Sequence, residues 1–255
     1  MIVLGLRAVL AAFSFLTVLP FGRLVALDGK DVARASVLFP VVGGAIGALT
    51  GGAAWYLGDH LPATTAAVVA VALGAAVTGA LHLDGLADCA DGFGGRTPQD
   101  RLRIMRDHTI GTYGGTALLL DLLVRVSVLG ALAGTREALL FSIAAGALGR
   151  VGGPLLAVML PYAQARPGAG EALNSHPSQP RAAVALVVGA LIAFVCVLDD
   201  PTRYAVSIVT AAAVLGLVAW TSARRLGGVT GDVMGAASEL IEISVLVVLV
   251  ATVVG

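Results

Sequence analysis

Three aspartates, Asp84, Asp88 and Asp91, stand at i, i+4, i+7 in the run His82-Leu-Asp-Gly-Leu-Ala-Asp-Cys-Ala-Asp-Gly92. On a helix they fall within roughly 60° of one another over about 10 Å of rise. Carboxylates on one stripe repel each other and weaken the helix that carries them. Charge beside an apolar segment is also expensive. Carboxylate oxygens are the ligands Mg²⁺ prefers, with retained waters and substrate phosphates completing its octahedron. The stripe therefore reads as a Mg²⁺ site, with a plain solvated acidic face as the alternative.

A basic stretch follows: Arg96, Arg101, Arg103 and Arg106, then Asp107 and Ile110-Gly111-Thr-Tyr-Gly114. Aspartates for a metal beside arginines for phosphate are a way to hold a diphosphate. Glycines and hydroxyls at the start of a helix suit an anion. The substrate-binding candidates are thus Arg101, Arg103, Arg106, Asp107, Gly111 and Gly114. A second acidic group, Asp232, Glu239 and Glu242, follows the glycine-rich Gly227-Gly-Val-Thr-Gly231. Acids near a helix start have an ordinary dipole explanation, but the glycine-rich approach favours a second half-site. Asp121 and Arg125, four residues apart inside an apolar run, read as a compensating pair. Arg150 either pairs similarly or reaches a phosphate. His82 is open between ligand, base and packed side chain; His108 and His176 receive no role.

The elements that position these residues are membrane helices. The chain is 58% hydrophobic and 13% charged, with a mean hydropathy of +0.93; soluble domains carry about 25% charged residues. Zero net charge argues against nucleic acid as a partner. Two distant cysteines, Cys89 and Cys196, read as small apolar fillers. Crossing a bilayer takes about 20 apolar residues. The runs Ala35–Leu57, Ala63–Leu83, Ile110–Ala133, Ala138–Leu160, Ala182–Leu198, Tyr204–Ser222 and Ala236–Val254 qualify or nearly so. Ile2–Leu19, interrupted by Arg7 and ended by Pro20, reads as an interfacial or re-entrant helix, and no removable signal peptide is read before it. The expected fold is all-α: a polytopic bundle of about seven transmembrane helices in one integral membrane domain, residues 1–255.

Arginine placement orients it. With a cytoplasmic N-terminus, one side holds Arg7, Arg23, Lys30, Arg34, Arg96, Arg101, Arg103, Arg106, Arg166, Arg181, Arg224 and Arg225, and the other only Arg136 and Arg203. The long connections 84–109, 161–181 and 223–237 fall on the arginine-rich side, as machinery for cytoplasmic substrates would. Glycines within the runs, such as Gly43, Gly47, Gly51 and Gly146, read as close-packing positions.

At these residues the chain resembles the cobalamin synthase (adenosylcobinamide-GDP ribazoletransferase) family. The likeness runs from Phe15-Leu-Thr-Val-Leu-Pro20 and Phe39-Pro-Val-Val-Gly43 through His82–Gly92, Ile104-Met-Arg-Asp107 and Ile110–Gly114. It ends with Gly227–Asp232, Gly235-Ala236, Glu239 and Glu242. His108-Thr109 departs from it, since relatives more often carry Ser or Pro followed by Arg or His there. The resemblance implies that adenosylcobinamide-GDP and α-ribazole, or its 5′-phosphate, yield adenosylcobalamin, or its 5′-phosphate, and GMP. On this reading Asp84, Asp88 and Asp91 hold Mg²⁺ against the diphosphate and the arginines neutralise the departing GMP. Asp232, Glu239 and Glu242 hold a second ion or accept the attacking hydroxyl's proton. The resemblance further implies a bacterial cytoplasmic (inner) membrane with the site facing the cytoplasm. It is compatible with a homo-oligomer or with association with other cobalamin-assembly enzymes. Rival readings are a CDP-alcohol phosphotransferase, whose pattern begins Asp-Gly-x-x-Ala-Arg where this chain has Asp84-Gly-Leu-Ala-Asp88, a membrane prenyltransferase, and a transporter. A transporter would spread its acids through the bilayer, whereas here Asp121 alone is plainly mid-span.

Overall fold

The computed structural model describes residues 2–23, 25–107, 109–163 and 170–254. His108 and Arg166, both considered above, lie outside the described residues. Long continuous apolar runs leave backbone polar groups no partner but their own helix, and the described residues are helical with no strand beyond one isolated bridge between Tyr162 and Val229.

Six helical segments among the described residues are long and apolar enough to cross a bilayer, and a bent pair would make a seventh. The first runs through α2 (Gly29–Ala35), a short 3₁₀ turn and α3 (Phe39–Gly58), preceded by α1 (Ile2–Leu16). At 1.5 Å per residue α1 is about 22 Å long, short of the roughly 30 Å hydrocarbon core. It lies against the next elements through stacked Phe15 and Phe39 rings, 5.4 Å apart, and an Arg7–Asp31 ion pair at 2.7 Å.

The bent pair is α4 (Ala63–Thr78) and α5 (Leu81–Gly92), which meet at 90°. The expected span Ala63–Leu83 therefore stops at Thr78. Gly79 takes φ +60° and Ala80 φ +56°, and their N–H groups close on the carbonyls of Ala76 and Ala75. This is the glycine-terminated helix end in which two reversed bonds satisfy the last carbonyls. The acidic stripe thus stands on a separate 12-residue helix, too short to cross a membrane.

The chain continues through α6 (Pro98–Ile104), α7 (Thr112–Ala131), α8 (Arg136–Gly149), α9 (Gly152–Met159), α10 (Glu171–Asn174), α11 (Gln179–Cys196), α12 (Pro201–Leu226) and α13 (Gly231–Val254). Together α8 and α9 make one span, broken only at Arg150 and Val151. They and α13 form the buried centre, while α7, α11 and α12 present exposed leucines and valines outward, as a lipid-facing surface requires. The glycine stripe behaves as expected: Gly43, Gly47 and Gly51 of α3 lie directly on the α8 backbone at Gly146, Ser142 and Ala138, with no room for a Cβ. Cys89 and Cys196 are buried free thiols.

Candidate active site between two glycine-crossed helices

The last span begins earlier than its hydropathy suggests. Thr230 caps it by accepting the Val233 N–H at 3.2 Å, so Asp232 sits in the first turn of α13, at the positive end of the helix dipole. That turn lies directly on α5. A Cβ on Gly85 would stand 2.7 Å from the Asp232 carbonyl oxygen, and one on Gly235 would stand 3.4 Å from the His82 Cα. The two glycines let α5 and α13 cross backbone to backbone, which brings Asp232 beside Asp84 and Asp88.

The three carboxylates form a graded pocket: Asp84 is exposed, Asp88 and Asp232 half-buried. Burial first, then the charges of Asp84, Asp232 and Asp91, push the Asp88 carboxyl up to about 7. Such crowding is what a bound cation relieves. Arg106, exposed on the connection after α6, extends its field to Asp232 and to Tyr162. The Tyr162 phenol, pinned by the bridge to Val229, is raised by burial and by Asp232.

Asp91, the third member of the stripe, turns elsewhere. Its two oxygens accept the Gly111 N–H at 2.7 Å and the Gly114 N–H at 2.8 Å, so it caps the N-terminus of α7. Gly111 and Gly114 thereby spend their N–H groups on Asp91, and a Cβ on either would collide with its carboxylate. Among the described residues no three of His, Cys, Asp and Glu converge to hold one ion by themselves. Mg²⁺ needs no such cage; it takes one or two carboxylates with waters and substrate phosphates. Asp84 and Asp88, with Asp232 beside them, have the donor chemistry for that mode.

Glu239 and Glu242 are about two and three helical turns farther along α13, about 10 and 15 Å of rise from Asp232, so they do not share its pocket. Both are buried and ion-paired. The Arg125 guanidinium reaches Asp121 at 2.8 Å, Glu242 at 2.7 Å, and Glu239; Arg150 also pairs with Glu242. The expected Asp121–Arg125 pair is therefore part of a five-residue network. Four of its members, Arg125, Arg150, Glu239 and Glu242, line a cavity of about 40 Å³ with Thr50, Thr78 and Ser142, distinct from the cavity that holds Asp84 and Asp232. Among the described charged residues, Arg150 alone borders both.

The basic candidates divide as well. Arg101 is 8% exposed and donates to the Arg225 carbonyl at 3.1 Å, locking α6 to the end of α12. Arg103 and Arg106 are exposed. Asp107 accepts the Thr109 N–H at 3.2 Å and hydroxyl at 2.9 Å, shaping the turn before α7. Sequence reasoning missed the Asp91 cap and the tie from Arg125 to Glu239 and Glu242. The second had a signal: two arginines inside apolar runs demand buried acids as partners.

Curated relatives share the chain nearly end to end. A protein of Azorhizobium caulinodans named adenosylcobinamide-GDP ribazoletransferase is 42% identical over 248 residues, covering 92% of each chain. Proteins of the same name from Chlorobaculum parvum and Klebsiella pneumoniae are 38% and 36% identical, covering 94% and 96% of this chain and 93% and 99% of theirs. No solved structure matches the chain. Residues 8–250 match the cobalamin-5-phosphate synthase family, whose crossed helices here carry the acidic pocket; the chain belongs to that family.

Proposed function

We propose that the pocket of Asp84, Asp88 and Asp232 joins adenosylcobinamide-GDP to α-ribazole or its 5′-phosphate, giving adenosylcobalamin or its 5′-phosphate and GMP. The observation that carries this reading is the approach of Asp232 on α13 to Asp84 and Asp88 on α5, in a family member, with the exposed Arg106 acting on the same pocket. The ribazole hydroxyl oxygen forms a bond to the phosphorus that bears the corrinoid's aminopropanol arm. The bond from that phosphorus to the bridging oxygen breaks, GMP departs with the oxygen, and the hydroxyl proton is released.

Reactions of this type depend mainly on positioning and charge neutralisation. Mg²⁺, held by Asp84, Asp88 and Asp232, would supply neutralisation of the diphosphate. Whichever of Asp88 and Asp232 the metal leaves free would take the hydroxyl proton. Arg106, with Arg103, neutralises the leaving GMP. Asp91 keeps the start of α7 in register with α5, and Arg125 with Glu239 and Glu242 holds α7 against α13. The arginine bias supports a cytoplasmic (inner) membrane with the site on the cytoplasmic face.

The test is conversion of adenosylcobinamide-GDP plus α-ribazole by detergent-solubilised protein, with Mg²⁺ and with EDTA. Magnesium-dependent corrinoid product and GMP are expected. No product from well-folded protein would redirect the pocket to another diphosphate donor.

A further inference from the structure

Behind Asp84 and Asp232 lies a cavity of about 70 Å³. A single water needs roughly 10–15 Å³ of such space, so several waters, or one tetrahedral phosphoryl group, would fill it. Two nitrogen-bearing side chains border it from the protein side. His82, in the first turn of α5, is 5% exposed; Arg150, at the break between α8 and α9, is 3% exposed. His82 Nδ1 and Arg150 Nε are both buried without a hydrogen-bond partner. Buried polar groups are nearly always satisfied, and a guanidinium N–H is only ever a donor. The first turn of α13, at Gly231 and Asp232, opens on the same cavity and adds the positive end of a 24-residue helix. Ser238 also lines the wall, but its hydroxyl already donates to the Met234 carbonyl at 3.1 Å.

From these placements we infer that the cavity is an oxyanion subsite, in which Arg150, His82 and the start of α13 receive a phosphoryl group of a substrate. The inference rests on the proposed reaction for the identity of that substrate. Arg150 is suited to the task because Glu242 fixes one of its terminal nitrogens while its Nε–H is left to donate. Both the donor's diphosphate and the acceptor's 5′-phosphate carry the required chemistry. Asp84 and Asp232 line the same cavity, so a phosphoryl group bound there would lie within reach of the proposed metal position as well as of the two nitrogen-bearing side chains.

Two variants separate the sources. Arg150→Lys keeps a cation for Glu242 but loses the Nε–H and the planar fork; His82→Phe keeps the volume and loses the ring nitrogens. If the acceptor's phosphate occupies the subsite, each variant raises KM for α-ribazole 5′-phosphate about tenfold or more, the loss of one charge-assisted hydrogen bond, while KM for unphosphorylated α-ribazole stays put. If the donor's diphosphate occupies it, KM for adenosylcobinamide-GDP rises with either acceptor. Unchanged KM for all three substrates in both variants would overturn the subsite. A readout free of activity uses wild-type protein in EDTA: inorganic phosphate and pyrophosphate should raise its unfolding temperature above chloride at equal ionic strength, and Arg150→Lys should abolish the difference. Equal effects of phosphate, pyrophosphate and chloride on the wild type would sink the inference. Stabilisation by phosphate without any transferase activity would uphold the subsite and fail only the proposed reaction.

Discussion

Replacing Gly85 by alanine puts a methyl group 2.7 Å from the Asp232 carbonyl oxygen and 3.1 Å from its Cα. Ordinary contact begins near 3.4 Å, so α5 must retreat from α13 by about 0.7 Å. Overpacking of this kind costs about 1–3 kcal/mol, and the better helix propensity of alanine returns about 0.5–1 kcal/mol. The net loss of stability should be between about 0 and 2.5 kcal/mol. The loss of rate should be larger, because α5 carries Asp84 and Asp88 while α13 carries Asp232. Misplacement of catalytic groups by about 1 Å can cost on the order of 100-fold, so turnover of Gly85→Ala should fall about ten- to a hundredfold. Formation of the corrinoid product, measured beside thermal unfolding of the detergent-solubilised protein, reads both quantities. Gly216→Ala on α12 is the control, since nothing lies within 4 Å of its added Cβ; its turnover should be unchanged. Wild-type turnover in a well-folded Gly85→Ala protein would refute the claim that the site is made by the close crossing of these helices.

Asp91→Asn removes the charge that accepts two α7 N–H groups and should cost about 1–3 kcal/mol of stability, with the magnesium dependence of turnover unchanged; a raised magnesium requirement would return Asp91 to the metal. Asp88→Asn should do the opposite, lowering turnover about a hundredfold or more while the unfolding temperature holds or rises, because like-charge crowding is relieved. Arg125→Met strands Asp121 and Glu239 and leaves Glu242 to Arg150, and should destabilise the protein by about 3–5 kcal/mol, seen as poor recovery of folded protein; normal unfolding behaviour would argue against the buried network. Gly79→Ala places a Cβ 2.6 Å from Val18 Cγ1 at a positive φ and should cost at least about 1–2 kcal/mol. Ala80→Gly beside it should leave the unfolding temperature unchanged or higher, and a clear drop would contradict the left-handed turn.

Much of this protein follows from its sequence for local reasons. Apolar runs of bilayer length can bury their backbone only as helices, so the bundle and its packing glycines were legible residue by residue. The spacing of Asp84, Asp88 and Asp91 likewise announced a charged stripe beside the membrane, and the motifs around it pointed to the family. Helical spacing, however, says which side chains share a face and not what that face meets. Asp91 sits on the same stripe as Asp88, yet the start of α7 passes close enough to claim both its oxygens. Asp232 is more than 140 positions from Asp88 in the chain and joins it only because Gly85 and Gly235 let two helices touch. Glu239 and Glu242 look like its partners along α13, but two further helical turns carry them down to Arg125. The sequence by itself determined that acids, arginines and membrane helices occur together in one chain. Which acids meet each other and which meet arginines was decided by the crossing of α5, α7, α8 and α13, because charge pairing acts over a few ångströms through space and is blind to distance along the chain.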